Sequence, residues 1–223
     1  MKKILTLALV SLGLVGSQLA SAHTISFAAA VGGAATGSIK ETFNSATLGS
    51  TTQTFGALTV SFNPDGKFVS GNLNGKYAAP YLSGSNGAGF GNPAGQDTTN
   101  YLSTGVGSVT INSSINLQYI GLLWGSVDGY NTIKFYNGLT LVDSFTGLDI
   151  NAAANGNQGV LGTYYVNFMS PTVFNKVVFT SSGYAFEFDN VAYSERSQVP
   201  DASATVGLFG LALLGLATLR RRK

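Results

Sequence analysis

Apolar and polar positions alternate along much of the chain with the period of two that half-buried strands require. Across 54–62 the apolar positions are Phe55, Leu58, Val60 and Phe62, and across 108–117 they are Val109, Ile111, Ile115 and Leu117. Ile133 and Phe135 repeat the pattern in 131–136, Tyr164, Val166 and Phe168 in 162–169, and Val177 and Phe179 in 176–180. Phe186, Phe188 and the neighbourhood of Val191 complete the series. Asn63-Pro64-Asp65-Gly66, Asn137-Gly138, Asn155-Gly156-Asn157 and Ser182-Gly183 read as turns between them. Short strands at this spacing predict an all-β fold, an antiparallel, jelly-roll-like β-sandwich. Phe135, Val166, Phe168, Phe179, Phe186 and Phe188 are its expected core. No strict internal repeat is present, and a propeller or solenoid would need one.

Two regions break the alternation. The stretch 71–107 is rich in glycine and carries Tyr77, Tyr81 and Tyr101. It reads either as a binding loop or as cover for short strands near 76–82 and 97–102, with the tyrosines as half-buried anchors. The other departure is at the two ends. Lys2 and Lys3 precede an apolar core over 4–15, and Ala20-Ser21-Ala22 supplies the small residues of a signal-peptidase site, with Ala20 and Ala22 at the recognition positions. Residues 1–22 are therefore expected to be a signal peptide, and the mature chain to begin at His23. At the other end, Val199-Pro200-Asp201 precedes an apolar run over 206–219 and the basic cluster Arg220, Arg221, Arg222 and Lys223. A spanning helix needs about 20 residues. The expectation is a transmembrane helix over about 203–219, with the basic end, 220–223, as its cytoplasmic stop and membrane lipid as its partner.

Residues 199–223 resemble the PEP-CTERM protein-sorting tail, in the variant that begins Val-Pro-Asp. That family joins a short Pro-containing motif, a transmembrane helix and an Arg-rich end, and an exosortase reads it. Asp201 stands where the commonest form has Glu. The resemblance implies export, transient anchoring in the inner membrane, and delivery to the cell surface or extracellular space of a bacterium that makes exopolysaccharide or biofilm. A second resemblance covers 120–193, from Leu122-Leu123-Trp124-Gly125 to Phe186-Glu187-Phe188-Asp189-Asn190-Val191. It looks like the body shared by many exosortase-sorted proteins, and it implies fold and address rather than an activity. The expected organisation is thus 1–22 signal peptide, 23–195 sandwich and 199–223 sorting tail.

Charge and composition remove several function classes. Of 12 Lys and Arg, six lie in the terminal segments (Lys2, Lys3, Arg220, Arg221, Arg222, Lys223), which leaves six; of 10 Asp and Glu, Asp201 lies in the tail, which leaves nine. The body is mildly acidic, so a nucleic-acid surface is not expected. There is no cysteine and a single histidine, His23. A zinc site and a Ser-His-Asp triad are therefore excluded from the expectation. Calcium is the metal alternative, at Asp189 and Asn190, with Asp128–Asn131 and Asp143–Asp149 as weaker pairs; none has EF-hand spacing. No other cofactor is expected. Glu187 and Asp189 share one strand face, read as the solvent side of a half-buried strand. Trp124, Tyr130 and Tyr136 are candidates for stacking on glycan, although Leu122 and Leu123 favour a core position for Trp124. No catalytic residues are assigned. The leading expectation is a non-catalytic surface or matrix protein that contacts exopolysaccharide. The alternatives are a carbohydrate-binding module and a glycan-active enzyme, the last requiring a cleft with Glu187 opposite another carboxylate.

Overall fold

The structure, a computed structural model, describes residues 23–30 and 32–196. Its elements in chain order are β1 (Ser26–Ala30), β2 (Ile39–Glu41), β3 (Thr52–Phe55), β4 (Leu58–Ser70), β5 (Tyr81–Leu82), β6 (Gly95–Gln96), β7 (Asn100–Gly125), β8 (Thr132–Asn137), β9 (Thr140–Thr146), α1 (Gly147–Ile150), β10 (Tyr164–Ser181) and β11 (Phe186–Ser194). Nine strands form one hydrogen-bonded network, and β5 and β6 make a separate two-stranded ribbon.

The two layers of the sandwich are joined by long strands that bend from one to the other. In the first layer, β7 pairs antiparallel with β4 through Val109–Phe62 and Ile111–Val60, and with β10 through Val109–Phe179 and Ile111–Val177. β10 continues to β8, and β8 to β9. In the second layer, the far end of β7 pairs with the start of β10, as Trp124–Tyr164 and Leu122–Val166, and β1 extends that edge. The register of β10 against β7 shifts between Met169 and Phe174, where β10 bends. β11 lies between both ends of β7: Phe188 is opposite Leu102 on one side and Trp124 on the other. β2 pairs with β11 through Val191–Glu41.

The alternating residues meet between the layers. Phe179 stacks on Phe188 with ring centroids 4.2 Å apart, Trp124 stacks on Phe186 at 4.4 Å, and Phe135 packs against Phe168 at 5.1 Å. All six residues expected in the core are buried. Asn137-Gly138 does turn the chain, between β8 and β9, with Gly138 at φ 60. Asn63-Pro64-Asp65-Gly66 does not. It lies inside β4, where the register against β7 shifts between Pro64 and Gly66, so the turn-forming residues make a bulge within a longer strand.

The glycine-rich stretch is packed rather than loose. Val69, Ala79 and Tyr101 form one small apolar cluster, and Leu82, Leu123 and Tyr165 form another, both on the outer face of the second layer. Gly125 admits this cover closely, because a Cβ there would lie 3.0 Å from Pro80. Residues 71–99 thus roof the outer face of β7, β10 and β11.

The all-β expectation holds, and the transmembrane helix is corrected. Among the described residues no helix is long and apolar enough to cross a membrane. The helix they contain, α1, has four residues against the ~20 that a span requires. The run expected to form the span lies outside the described residues and is itself short of that length. The described residues are therefore all-β in class, and no helix among them can cross a membrane. Membrane lipid as a partner and transient inner-membrane anchoring, which rested on that helix, are withdrawn with it.

Candidate functional site

A polar cleft of about 280 Å³ opens where the roof meets the turns at the ends of β7 and β10. The roof contributes Asn72, Lys76, Tyr77 and Ala78; the turn after β7 contributes Ser126 and Asp128; the 151–163 loop contributes Gln158; Tyr184 and Glu187 come from the approach to and start of β11. A smaller cleft of about 150 Å³, lined by Asp65, Lys67 and Ser103, shares Lys76, Tyr77 and Tyr184 with it.

Tyr184 stands between the two clefts and is 42% exposed. Its hydroxyl accepts a hydrogen bond from Lys76 Nζ at 2.7 Å and donates to Asp65 Oδ2. The Lys76 ammonium also lies 3.9 Å from the Tyr184 ring centroid. The tyrosine hydroxyl, followed by the Asp65 charge, holds the Lys76 pKa above its ordinary value. Gly105 makes this arrangement fit, since a Cβ there would meet the Tyr184 ring at 2.2 Å.

Glu187 forms the floor and is only 2% exposed. Its Oε1 accepts the Ala78 N–H at 2.9 Å, and its Oε2 accepts the Ser126 hydroxyl at 2.6 Å. Burial pushes its pKa up to about 7, against the pull of those two donors, and the nearby Asp128 charge adds to the rise. Burial also raises the Asp128 pKa, opposed by the hydrogen bond it accepts from Tyr130 at 2.8 Å. Glu187 and Asp189 do share a strand face, as expected. That face is not solvated: the roof lies on it, and Asp189 is fully buried.

The stacking candidates are scattered. Trp124 is wholly buried against Phe186 and cannot meet a sugar. Tyr130 is 41% exposed at the margin of the cleft, where the one proton of its hydroxyl is shared between Asp128 Oδ2 at 2.8 Å and the Tyr184 carbonyl at 2.7 Å. Tyr136 lies on β8 under Lys176, whose Nζ is 4.5 Å from the ring centroid, outside the cleft lining. The rings that do line the cleft, Tyr77 and Tyr184, include one of the roof tyrosines singled out in the sequence; Tyr184 gave no signal beyond its place after Ser182-Gly183.

The acidic pairs also separate. Asp143 Oδ1 is 2.9 Å from His23 Nδ1, and its Oδ2 accepts the Ile25 N–H at 2.8 Å. Asp149 lies 4.0 Å from the other ring nitrogen of His23 and caps α1 through Thr146. Asn131 is spent on the fold, donating to the Ala185 carbonyl at 3.2 Å and accepting from Ser181 at 2.7 Å. Among the described residues no three His, Cys, Asp or Glu gather to hold a metal. Ala20, Ala22, Val199, Pro200, Asp201 and the basic cluster 220–223 lie outside the described residues.

An all-β body with a roofed sheet and a polar surface cleft is thus joined to two terminal segments of quite different composition. The second of these is matched directly: residues 198–223 fit the VPDSG-CTERM motif. Val199-Pro200-Asp201 agree with that description, and Ala202-Ser203 stand in place of Ser-Gly. The chain carries a CTERM sorting tail, which marks an exported, sorted surface protein. The match stops short of the body, so the likeness seen over 120–193 gains nothing from it. No curated protein matches the chain.

Proposed function

We propose that the sorted body acts outside the cell as a non-catalytic matrix protein that holds exopolysaccharide in the cleft between roof and sheet. The observation that carries this reading is the cleft's lining. Gln158 offers an amide donor and acceptor, Lys76 and Asp128 offer charge-assisted partners, and Tyr77 and Tyr184 offer ring faces. Sugar hydroxyls and sugar C–H faces need that mixture of groups. The test is affinity electrophoresis of the exported protein in gels containing exopolysaccharide from the producing cells. Tyr77→Ala and Tyr184→Ala should each weaken retention about tenfold, equivalent to ~1.4 kcal/mol. Unchanged retention in both would place the binding elsewhere or remove it.

One observation favours a second reading, glycan cleavage. Glu187, half protonated at pH about 7, and Asp128 line the same cleft. Against it, both Glu187 oxygens are engaged within the protein. Incubation with the same polysaccharide separates the readings: reducing ends released by wild type and not by Asp128→Asn would establish the enzyme.

A further inference from the structure

Beneath the roof lies a second polar group that the cleft does not use. Asp189 Oδ1 and Oδ2, Asp97 Oδ2 and the side-chain amide of Asn190 are buried and meet no hydrogen-bond partner. Asp189 and Asn190 are wholly buried, and Asp97 is 2% exposed. Leaving an ionised carboxylate in such a place costs several kcal/mol.

The strand geometry explains how Asp189 comes to meet Asp97. Phe186 and Phe188 face the core, and so do Val191 and Tyr193. The inward parity therefore changes between 188 and 191, and the register of β11 against β7 shifts between Asp189 and Ala192. This is a bulge, with Asn190 at φ 52, and it turns the two consecutive residues Asp189 and Asn190 away from the core. The roof brings in Asp97, whose N–H bonds to the Pro80 carbonyl at 2.8 Å, above Gly125. Thr99 fixes Asp97 Oδ1 through its N–H at 2.8 Å and its hydroxyl at 2.5 Å, which leaves Oδ2 free. The Asp97 and Asp189 carboxyls are close enough to share a hydrogen bond if one were protonated, and the charge of Glu41 on β2 acts on Asp189 more weakly, from outside this pair. Among the described residues no Lys or Arg forms an ion pair with either.

Two arrangements can settle such a pair, a shared proton or a cation. A shared proton joins one oxygen of each acid. It leaves the side-chain amide of Asn190 unpartnered, and the Asn190 N–H is the remaining donor to Asp189. A calcium ion takes six to eight oxygens, carboxylate and amide together, and does not insist on regular geometry. We propose that Asp189 and Asn190 of the β11 bulge and Asp97 of the roof form a calcium site, and that the metal fastens residues 71–99 to the sheet in a chain with no cysteine for a disulfide.

The test is calcium titration of the full exported protein after refolding from urea in EDTA, with magnesium as control. Extracellular sites of this kind bind with Kd on the order of 10⁻⁴–10⁻³ M. Saturating calcium should raise Tm by about 3–10 °C with one ion bound per chain, and magnesium should do much less. It should also slow proteolysis within 71–99. Asp97→Asn and Asp189→Asn should abolish the shift. Wild type that binds no calcium overturns the proposal whatever the variants do, and the shared proton then stands. A calcium shift that survives in both folded variants overturns it too, because the ion then sits elsewhere.

Discussion

Replacing Glu187 by Gln should stabilise the protein at alkaline pH and leave it unchanged in acid. The carboxyl titrates at about 7 in the folded state, against an ordinary value of 4.5. The folded chain therefore binds more protons than the unfolded chain between those values, and stability falls as pH rises through that window. The rise of 2.5 (7 less 4.5) corresponds to about 3 kcal/mol, fully incurred by pH 8. Glutamine escapes this cost while keeping the contacts, for its carbonyl can accept the Ala78 N–H and its amide can donate to the Ser126 oxygen. For a body of this size, about 3 kcal/mol is roughly 6–12 °C in Tm. The assay is Tm against pH from 4 to 9 for both proteins. Asp189 contributes equally to both curves, so their difference isolates Glu187. The curves should coincide near pH 4 and diverge to a plateau above pH 7.5. Parallel curves, or a variant less stable at pH 8, would refute the argument that burial raises this group.

Two further outcomes are expected. Trp124→Ala should cost about 3–5 kcal/mol in urea unfolding, the ordinary price of emptying a large aromatic site; a loss below 1 kcal/mol would mean that the ring is not packed between the layers. His23 and the N–H groups of Ile25 and Ser144 outweigh burial and hold the Asp143 pKa below the usual carboxylate range, so its contribution is present above pH 4 and is lost as pH falls through the lowered value. Asp143→Asn should flatten the acid limb of the Tm profile by under about 1 kcal/mol, since the pair is partly exposed; a steeper limb would contradict the sign.

Strand existence was legible because one face of each segment packs and the period of two survives. Strand length was not. Asn63-Pro64-Asp65-Gly66 has turn chemistry, yet the flanking runs pair with one continuous partner, and pairing across distance decides the matter. Trp124 shows a signal that was present and underused. Ile120, Leu122, Leu123 and Trp124 form a nearly unbroken apolar run, which means a strand covered on both faces. The same cover buries Glu187 and Asp189. Their common face followed from parity, but the roof that closes it comes from 71–99, where glycine hides the few apolar anchors, Ala79 and Leu82, and the inward acid, Asp97. The cleft depends on that non-local contact, so its Tyr184 was illegible.

β11 is the last strand of the body, yet it sits between the two ends of β7 rather than at an edge. The chain is threaded into its own centre at the end of synthesis. A body still lacking β11 has an open slot with unpaired β7 backbone on either side, and it cannot complete its core. Val199 follows Ser194 by only five positions, so the sorting tail leaves the export channel just after the strand that closes the fold. Any chain long enough to be sorted has all it needs to fold, and a chain cut short before β11 carries neither the finished body nor the address.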